Sequence, residues 1–166
     1  MRRSQDVIGL PVIHVRTGKR LGAVRDILFN GQQQMVGLLL ENGGWVRRGR
    51  FLPFERIGSL GTDAVIVGSE SDIHLLNQLE EDWHGLLTGQ RKLKGRPVVM
   101  SNGQELGMVE DVYFREELGT LMGYELSGGF ISDLTEGREM FRPDAPLTWG
   151  EDVLIASMAG QPVQDV

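Results

Sequence analysis

The chain has 166 residues, 40% of them hydrophobic and 24% charged, with no cysteine, so it reads as a globular protein with a packed core and excludes disulfides, thiolate metal sites and thiol nucleophiles. Its net charge of −6 is unevenly spread: residues 1–70 hold 10 Lys+Arg against 6 Asp+Glu (+4), and residues 71–166 hold 7 against 17 (−10). Such a split suits attraction between the halves, or contact of the first half with an anionic partner, while the overall acidity argues against generic nucleic-acid binding. Arg2 and Arg3 are not followed by an apolar stretch, so no export signal is expected, and the longest apolar run, Val36 to Leu40, is far too short to span a bilayer. A reducing cytoplasm is the expected compartment.

Taken in chain order, Val12 to Val15 forms a first strand and Thr17, Gly18 and Lys19 a hairpin turn. Val24, Ile27 and Phe29 lie on the next strand, where a spacing of three inside a two-residue period predicts a bulge at Asp26, whose carboxylate would satisfy backbone donors freed there. A third strand runs over Met35 to Leu40, then a basic, aromatic edge, Trp45 to Arg50, and a closing strand at Ala64 to Val67. Ser71 is placed to cap a helix whose apolar residues Ile73, Leu76, Leu79 and Trp83 share a face, with Gly85 ending it and Leu86 to Gln90 serving as a flexible joint. Strands then recur at Val98 to Met100, around Val109, Val112 and Phe114, at Leu121 to Leu126 and at Val153 to Ala156, with a turn at Ser101, Asn102 and Gly103.

The recurrence is an internal repeat. Gly9, Pro11, Val12 and Ile13 return as Gly95, Pro97, Val98 and Val99. Gly18, Leu21, Gly22, Val24, Asp26 and Phe29 return as Gly103, Leu106, Gly107, Val109, Asp111 and Phe114. Val36, Gly37, Leu38 and Leu40 match Met122, Gly123, Tyr124 and Leu126; Phe51 and Pro53 are aligned with Phe141 and Pro143; Gly61, Asp63, Val65 and Ile66 match Gly150, Asp152, Leu154 and Ile155. Short strands with glycine turns predict a mainly β protein: two small antiparallel barrels, residues 5–70 and 92–158, joined by a short helix within a linker at 71–91, with a flexible tail at 159–166.

The motif Gly22, Val24, Asp26, Phe29 and its second instance Gly107, Val109, Asp111, Phe114 resemble those of tandem PRC-barrel proteins. That class is named after the cytoplasmic domain of the photosynthetic reaction centre H subunit and is similar to the C-terminal domain of the ribosome-maturation factor. The resemblance implies six-stranded antiparallel barrels used for protein contact and assembly, with no family-wide catalytic residue, and a bacterial origin. The chain has neither the transmembrane anchor of the H subunit nor the separate N-terminal barrel of the maturation factor, so neither role carries over directly.

The residues offer no catalytic set and call for no metal or other cofactor. His14, His74 and His84 lack ligand spacing and read as surface residues of strands or a helix, and no phosphate loop, dinucleotide fingerprint or nucleophile elbow occurs. Asp26 and Asp111 belong to different copies and read as structural, and Glu110, Asp111, Glu116 and Glu117 lack the alternation of a calcium loop. The copies differ where the first has Trp45, Arg47, Arg48 and Arg50, a candidate partner surface, and the second has Phe130 to Arg138, a capped turn with Ser132 or Asp133 as cap and Glu136 reaching back. A core Trp45 among solvated arginines is the competing reading of the first segment. The expectation is a non-enzymatic protein-binding scaffold or adaptor. RNA or ribosome association through the basic edge, and an assembly role like that of the reaction centre, are the alternatives. A homodimer and peripheral contact with a membrane surface are further partner expectations, and a small-molecule cleft between the barrels would require converging polar groups.

Overall fold

Gly18 (φ +68°) and Gly103 (φ +93°) sit at the hairpin tips where the sequence places them, in the left-handed region that a tight turn requires. The computed structural model describes residues 1–41, 49–128 and 138–157. Its first half holds β1 (Arg2–Arg3), β2 (Pro11–His14), β3 (Arg20–Phe29), β4 (Met35–Leu40), β5 (Gly49–Pro53), β6 (Ile57–Leu60), β7 (Val65–Val67), β8 (His74–Leu76) and β9 (His84–Gly85). The second holds β10 (Pro97–Met100), β11 (Glu105–Arg115), β12 (Thr120–Ser127), β13 (Arg138–Phe141), β14 (Thr148–Trp149) and β15 (Leu154–Ala156).

Two curled sheets result, with the same strand order: β6-β7-β2-β3-β4-β5 in one and β14-β15-β10-β11-β12-β13 in the other. Pairing is antiparallel except for β2 with β7 and β10 with β15, which run parallel at equivalent places. The predicted bulges are present: register slips between Val24 and Asp26 on β3 and between Val109 and Asp111 on β11. Each bulge bends a long central strand and turns its aspartate inward. Register also corrects the repeat alignment. Leu38 opposes Leu52, while its counterpart Tyr124 opposes Phe141, so Phe51 corresponds to Met140 and not to Phe141. A slip of one residue exchanges the inner for the outer face.

No joining helix forms. The helical segments among the described residues are 3-10 turns at Ser4–Asp6, Phe54–Arg56 and Glu70–Asp72, and the cap of the last is Ser69, whose side chain accepts from the Ser71 amide, rather than Ser71. The span assigned to the helix instead holds β8, bends and turns, and β9: β8 pairs with the outer edge of β5, and Leu76, Leu79 and Trp83 cover the outer face formed by Leu28, Leu39 and Phe51. Trp83 stacks on Phe51 at 4.9 Å and 28°. Apolar residues at helical spacing are equally able to cover a sheet when the backbone donors have an edge to bond to, and β5 supplies one.

The predicted flexible joint is the most tightly held part of the linker. Oδ1 of Asp26, fully buried, accepts from the amides of Ile27 (2.9 Å), Leu86 (3.1 Å) and Leu87 (3.1 Å). Oδ2 accepts from the amide (3.0 Å) and hydroxyl (2.6 Å) of Thr88. Gly85 is glycine because a Cβ there would collide with that carboxylate. The second copy mirrors the arrangement: Asp111 accepts from the amides of Val112 (2.8 Å) and Gln5 (3.2 Å) and from Arg3 Nε (3.4 Å). Each aspartate therefore binds the lead-in segment of the other copy. The adjoining strands follow suit, with β9 paired to β3 through His84 and Phe29, and β1 paired to β11 through Arg2 and Phe114.

The exchange has approximate twofold symmetry. Met35 donates to the Gly119 carbonyl at 2.8 Å and Leu121 to that of Gln33 at 3.0 Å, while Gln34 and Thr120 bridge each other. Phe29 meets Phe114 edge-on at 6.4 Å, and one continuous apolar core runs through both sheets.

Removing the Asp26 carboxylate strands buried amides, and each orphaned donor costs about 1–3 kcal/mol. Asp26→Ala is therefore expected to lower the unfolding free energy by about 3 kcal/mol or more, read as the urea midpoint. Gly85→Ala should destabilise in the same direction. In the intact chain both sheets should melt in one transition, and a fragment of residues 1–72 should not fold alone.

Candidate functional site

Of the four residues proposed for a partner surface, Trp45, Arg47 and Arg48 lie outside the described residues, as do residues 130–137 of the capped turn assigned to Phe130 to Arg138, of which Arg138 opens β13. Arg50 is on β5, half-buried, and its guanidinium is engaged in the fold: Nη2 donates to the Leu21 carbonyl at 2.6 Å. It fills the space over Gly22, where a Cβ would stand 2.8 Å from Nη1. Arg50 thus ties the start of β3 to β5. The repeated motif residues are inward: Val24, Phe29, Val109 and Phe114 are in the core, and both aspartates are fully buried. Burial pushes the Asp26 and Asp111 carboxyls above their ordinary range, opposed by the hydrogen bonds each accepts.

The outer faces of the two sheets differ more than their cores. In the first copy, Leu28, Leu39 and Phe51 are roofed by the linker. By register their counterparts are Tyr113, Glu125 and Met140. Met140 is 40% exposed and Met108, on the same side of β11, 41%. Arg20 and Arg25 of β3 are replaced by Glu105 and Glu110 on β11. This face was not singled out from the sequence, although its signal was there: two arginine-to-glutamate reversals between the copies, obscured by aligning Phe51 with Phe141.

Arginines of the first β-strand meet acids of the second copy. Arg3 pairs with Asp111 and with Glu125, each at 3.4 Å, and Arg2 lies 3.7 Å from Glu116 while donating to the Leu60 carbonyl at 2.7 Å. Beside that contact a cleft of about 280 Å³ opens between the copies, floored by Met35, Phe54, Ile57 and Leu60 and rimmed by Glu116 and Glu117. The buried groups Asp26, His84 and Asp111, whose proton affinities are displaced, do not line this cleft. Among the described residues no helix is long and apolar enough to cross a membrane.

The histidines separate in character. His14 Nδ1 accepts from the amides of Arg16 and Thr17 in the first hairpin, and His74 is exposed on β8. His84, expected at the surface, is buried: its ring meets Trp149 edge-on at 4.9 Å, and Nδ1 lies 3.3 Å from the Arg91 carbonyl. Trp149 Nε1 donates to the Tyr124 hydroxyl at 2.9 Å, and burial drives that phenol well above its ordinary value.

The family model for the PRC-barrel domain matches residues 1–72 and 89–157. The chain is also similar to a protein of Bacillus subtilis named "Uncharacterized protein YrrD", with 30% identity over 157 residues, covering 93% of this chain and 87% of that protein.

Burial, reinforced by Arg91 and Arg96, holds the His84 imidazole below its ordinary value. A depressed histidine is neutral in the fold, and the unfolded chain takes up its proton first. Its contribution to stability is complete above about pH 6.5 and declines as pH falls below that. Urea midpoints at pH 7.5 and pH 5.5 should differ more for the natural chain than for His84→Phe, which keeps the ring against Trp149 without the titration.

Proposed function

The chain belongs to the PRC-barrel family, and on that footing we propose that it is a non-enzymatic scaffold whose two barrels present unlike surfaces to protein partners. The observation that carries this reading is the contrast between a joint kept alike in both copies and outer faces that have diverged at equivalent positions. A duplicated module whose outer sides diverge around one shared joint offers unlike surfaces for contact. The two buried carboxylates, which would be the natural groups for acid–base chemistry, have their oxygens engaged by backbone donors and Arg3, which supports a role without catalysis.

Trp45, Arg47 and Arg48 are assigned to one of these contacts. An aromatic beside guanidinium groups is the composition that recurs at energetic centres of protein interfaces. Arg50 is left out of the contact because Leu21 and Gly22 depend on it.

The test is chemical crosslinking followed by affinity purification from the native cell, comparing the natural chain with Arg47→Glu/Arg48→Glu. The charge-reversed protein should lose a subset of captured partners while keeping its melting temperature. An unchanged partner set would overturn the assignment of this edge. RNA bound at about 50 mM salt and released by about 200 mM would transfer the edge to nucleic acid.

A further inference from the structure

We infer that the cleft between the copies, floored by Met35, Phe54, Ile57 and Leu60, receives one aromatic side chain of a partner protein, with a basic residue beside it. The inference deepens the scaffold reading, on which it rests, by assigning a second contact and the chemistry of its anchor.

The twofold-related place shows what such a position accepts. By register Leu60 on β6, opposite Val65, corresponds to Trp149 on β14, opposite Leu154. Arg2, paired with Phe114, corresponds to His84, paired with Phe29. The second barrel therefore sets an indole against His84 where the first sets a leucine beside Arg2. The two turns at the axis differ in the same sense. Gln33 and Gly119 share a left-handed backbone (φ +62° and +70°), and their carbonyls accept from Leu121 and Met35 respectively. Buried Gln33 closes its side by donating to the Leu147 carbonyl at 2.6 Å. Gly119 has no side chain to reach across, and the Phe54 ring lies over it. One place is thus filled by this chain's own indole and carboxamide, while its counterpart stays open.

Size and charge select the occupant. A volume of about 280 Å³ falls below the roughly 300–1,000 Å³ of sites that enclose cofactors or substrates, and it suits one large side chain. Aromatic anchors seated in pockets supply much of the affinity of protein interfaces. At the rim Arg2 Nη1 lies 3.7 Å from Glu116, whereas Glu117 forms no ion pair among the described residues. That exposed carboxylate favours lysine or arginine next to the anchor. Shape carries most of the selection, since a charge at the surface is screened by salt.

Three blocked pentapeptides test the inference by nuclear magnetic resonance on the isotope-labelled full chain. The first is glycine-lysine-tryptophan-lysine-glycine; the second has alanine for tryptophan, and the third glutamate for each lysine. The tryptophan peptide should shift the amides of Gly58, Ser59 and Glu117 saturably, with a dissociation constant of about 1 mM. Alanine should weaken binding by at least about tenfold, and glutamate by about threefold at low salt, the second difference vanishing at about 0.5 M salt. Ser59→Trp, at an exposed position lining the cleft, and Leu60→Trp, which copies Trp149, should each abolish these shifts with the fold kept in thermal melting. Ser59→Trp decides the matter should position 60 not tolerate the larger ring. In affinity purification from the native cell, Ser59→Trp should release at least one partner that the natural chain captures. Equal affinity for the alanine peptide, shifts centred elsewhere, binding that survives Ser59→Trp, or an unchanged partner set overturns the inference. So do shifts of the same amides on dilution of the chain alone, which would place a second copy in the cleft. Binding that emerges only on deletion of residues 158–166 would place that segment there, with the same result. Partners still lost on Arg47→Glu/Arg48→Glu would in any of these events leave the scaffold reading standing.

Discussion

Everything in this molecule depends on two buried carboxylates that accept hydrogen bonds from the segments leading into the other copy. Asp26 gathers amides of Leu86 to Thr88, and Asp111 gathers the amide of Gln5 and the guanidinium of Arg3. An ionised group removed from water is tolerable only when donors surround it, and those donors in turn lack water to fall back on. Neither half can therefore be satisfied without the other. The familiar picture of tandem modules as beads on a string fails here, since the segment between the copies completes the first, and the segment before the first completes the second.

This constraint accounts for the way charge is distributed. The positive first half and negative second half are read most directly from Arg2 and Arg3, which cross to Glu116, Asp111 and Glu125. Once the joint is fixed by such contacts, the outward sides are released from symmetry. One becomes covered by Leu76, Leu79 and Trp83, and the other keeps methionines and glutamates at its surface.

Much of the architecture was legible in the residues because it is local. The glycine turns and the three-residue spacing that announces each bulge follow from short-range pattern. What escaped was long-range. Asp26 was expected to satisfy its own bulge, and it does bond Ile27, but its principal partners lie 60–62 residues away, where no periodicity points. The linker was misread because Ile73, Leu76, Leu79 and Trp83 satisfy a helical template, while Leu76, Leu79 and Trp83 serve as well to cover a sheet, and the β5 edge decides between them. Matching Phe51 to Phe141 by residue type hid the second barrel's outer face, since side-chain identity is a poorer guide than register when a sheet has two sides. Of the basic edge, Arg50 is the residue whose role the described structure gives, and it braces the barrel.

The reciprocal clasp also bears on birth order. During translation Asp26 emerges long before Leu86, 60 positions downstream, so the first barrel remains open, with its central carboxylate hydrated, while the chain between them is being made. The amino-terminal arm waits longer still, because Gln5 must find a residue 106 positions downstream. Such distant pairings slow closure and favour a late, concerted collapse over sequential maturation of each module. A nascent chain of this design is thus most vulnerable to misassembly just before its final third leaves the ribosome, and the methionine-rich side, synthesised last, has the shortest exposure to that hazard.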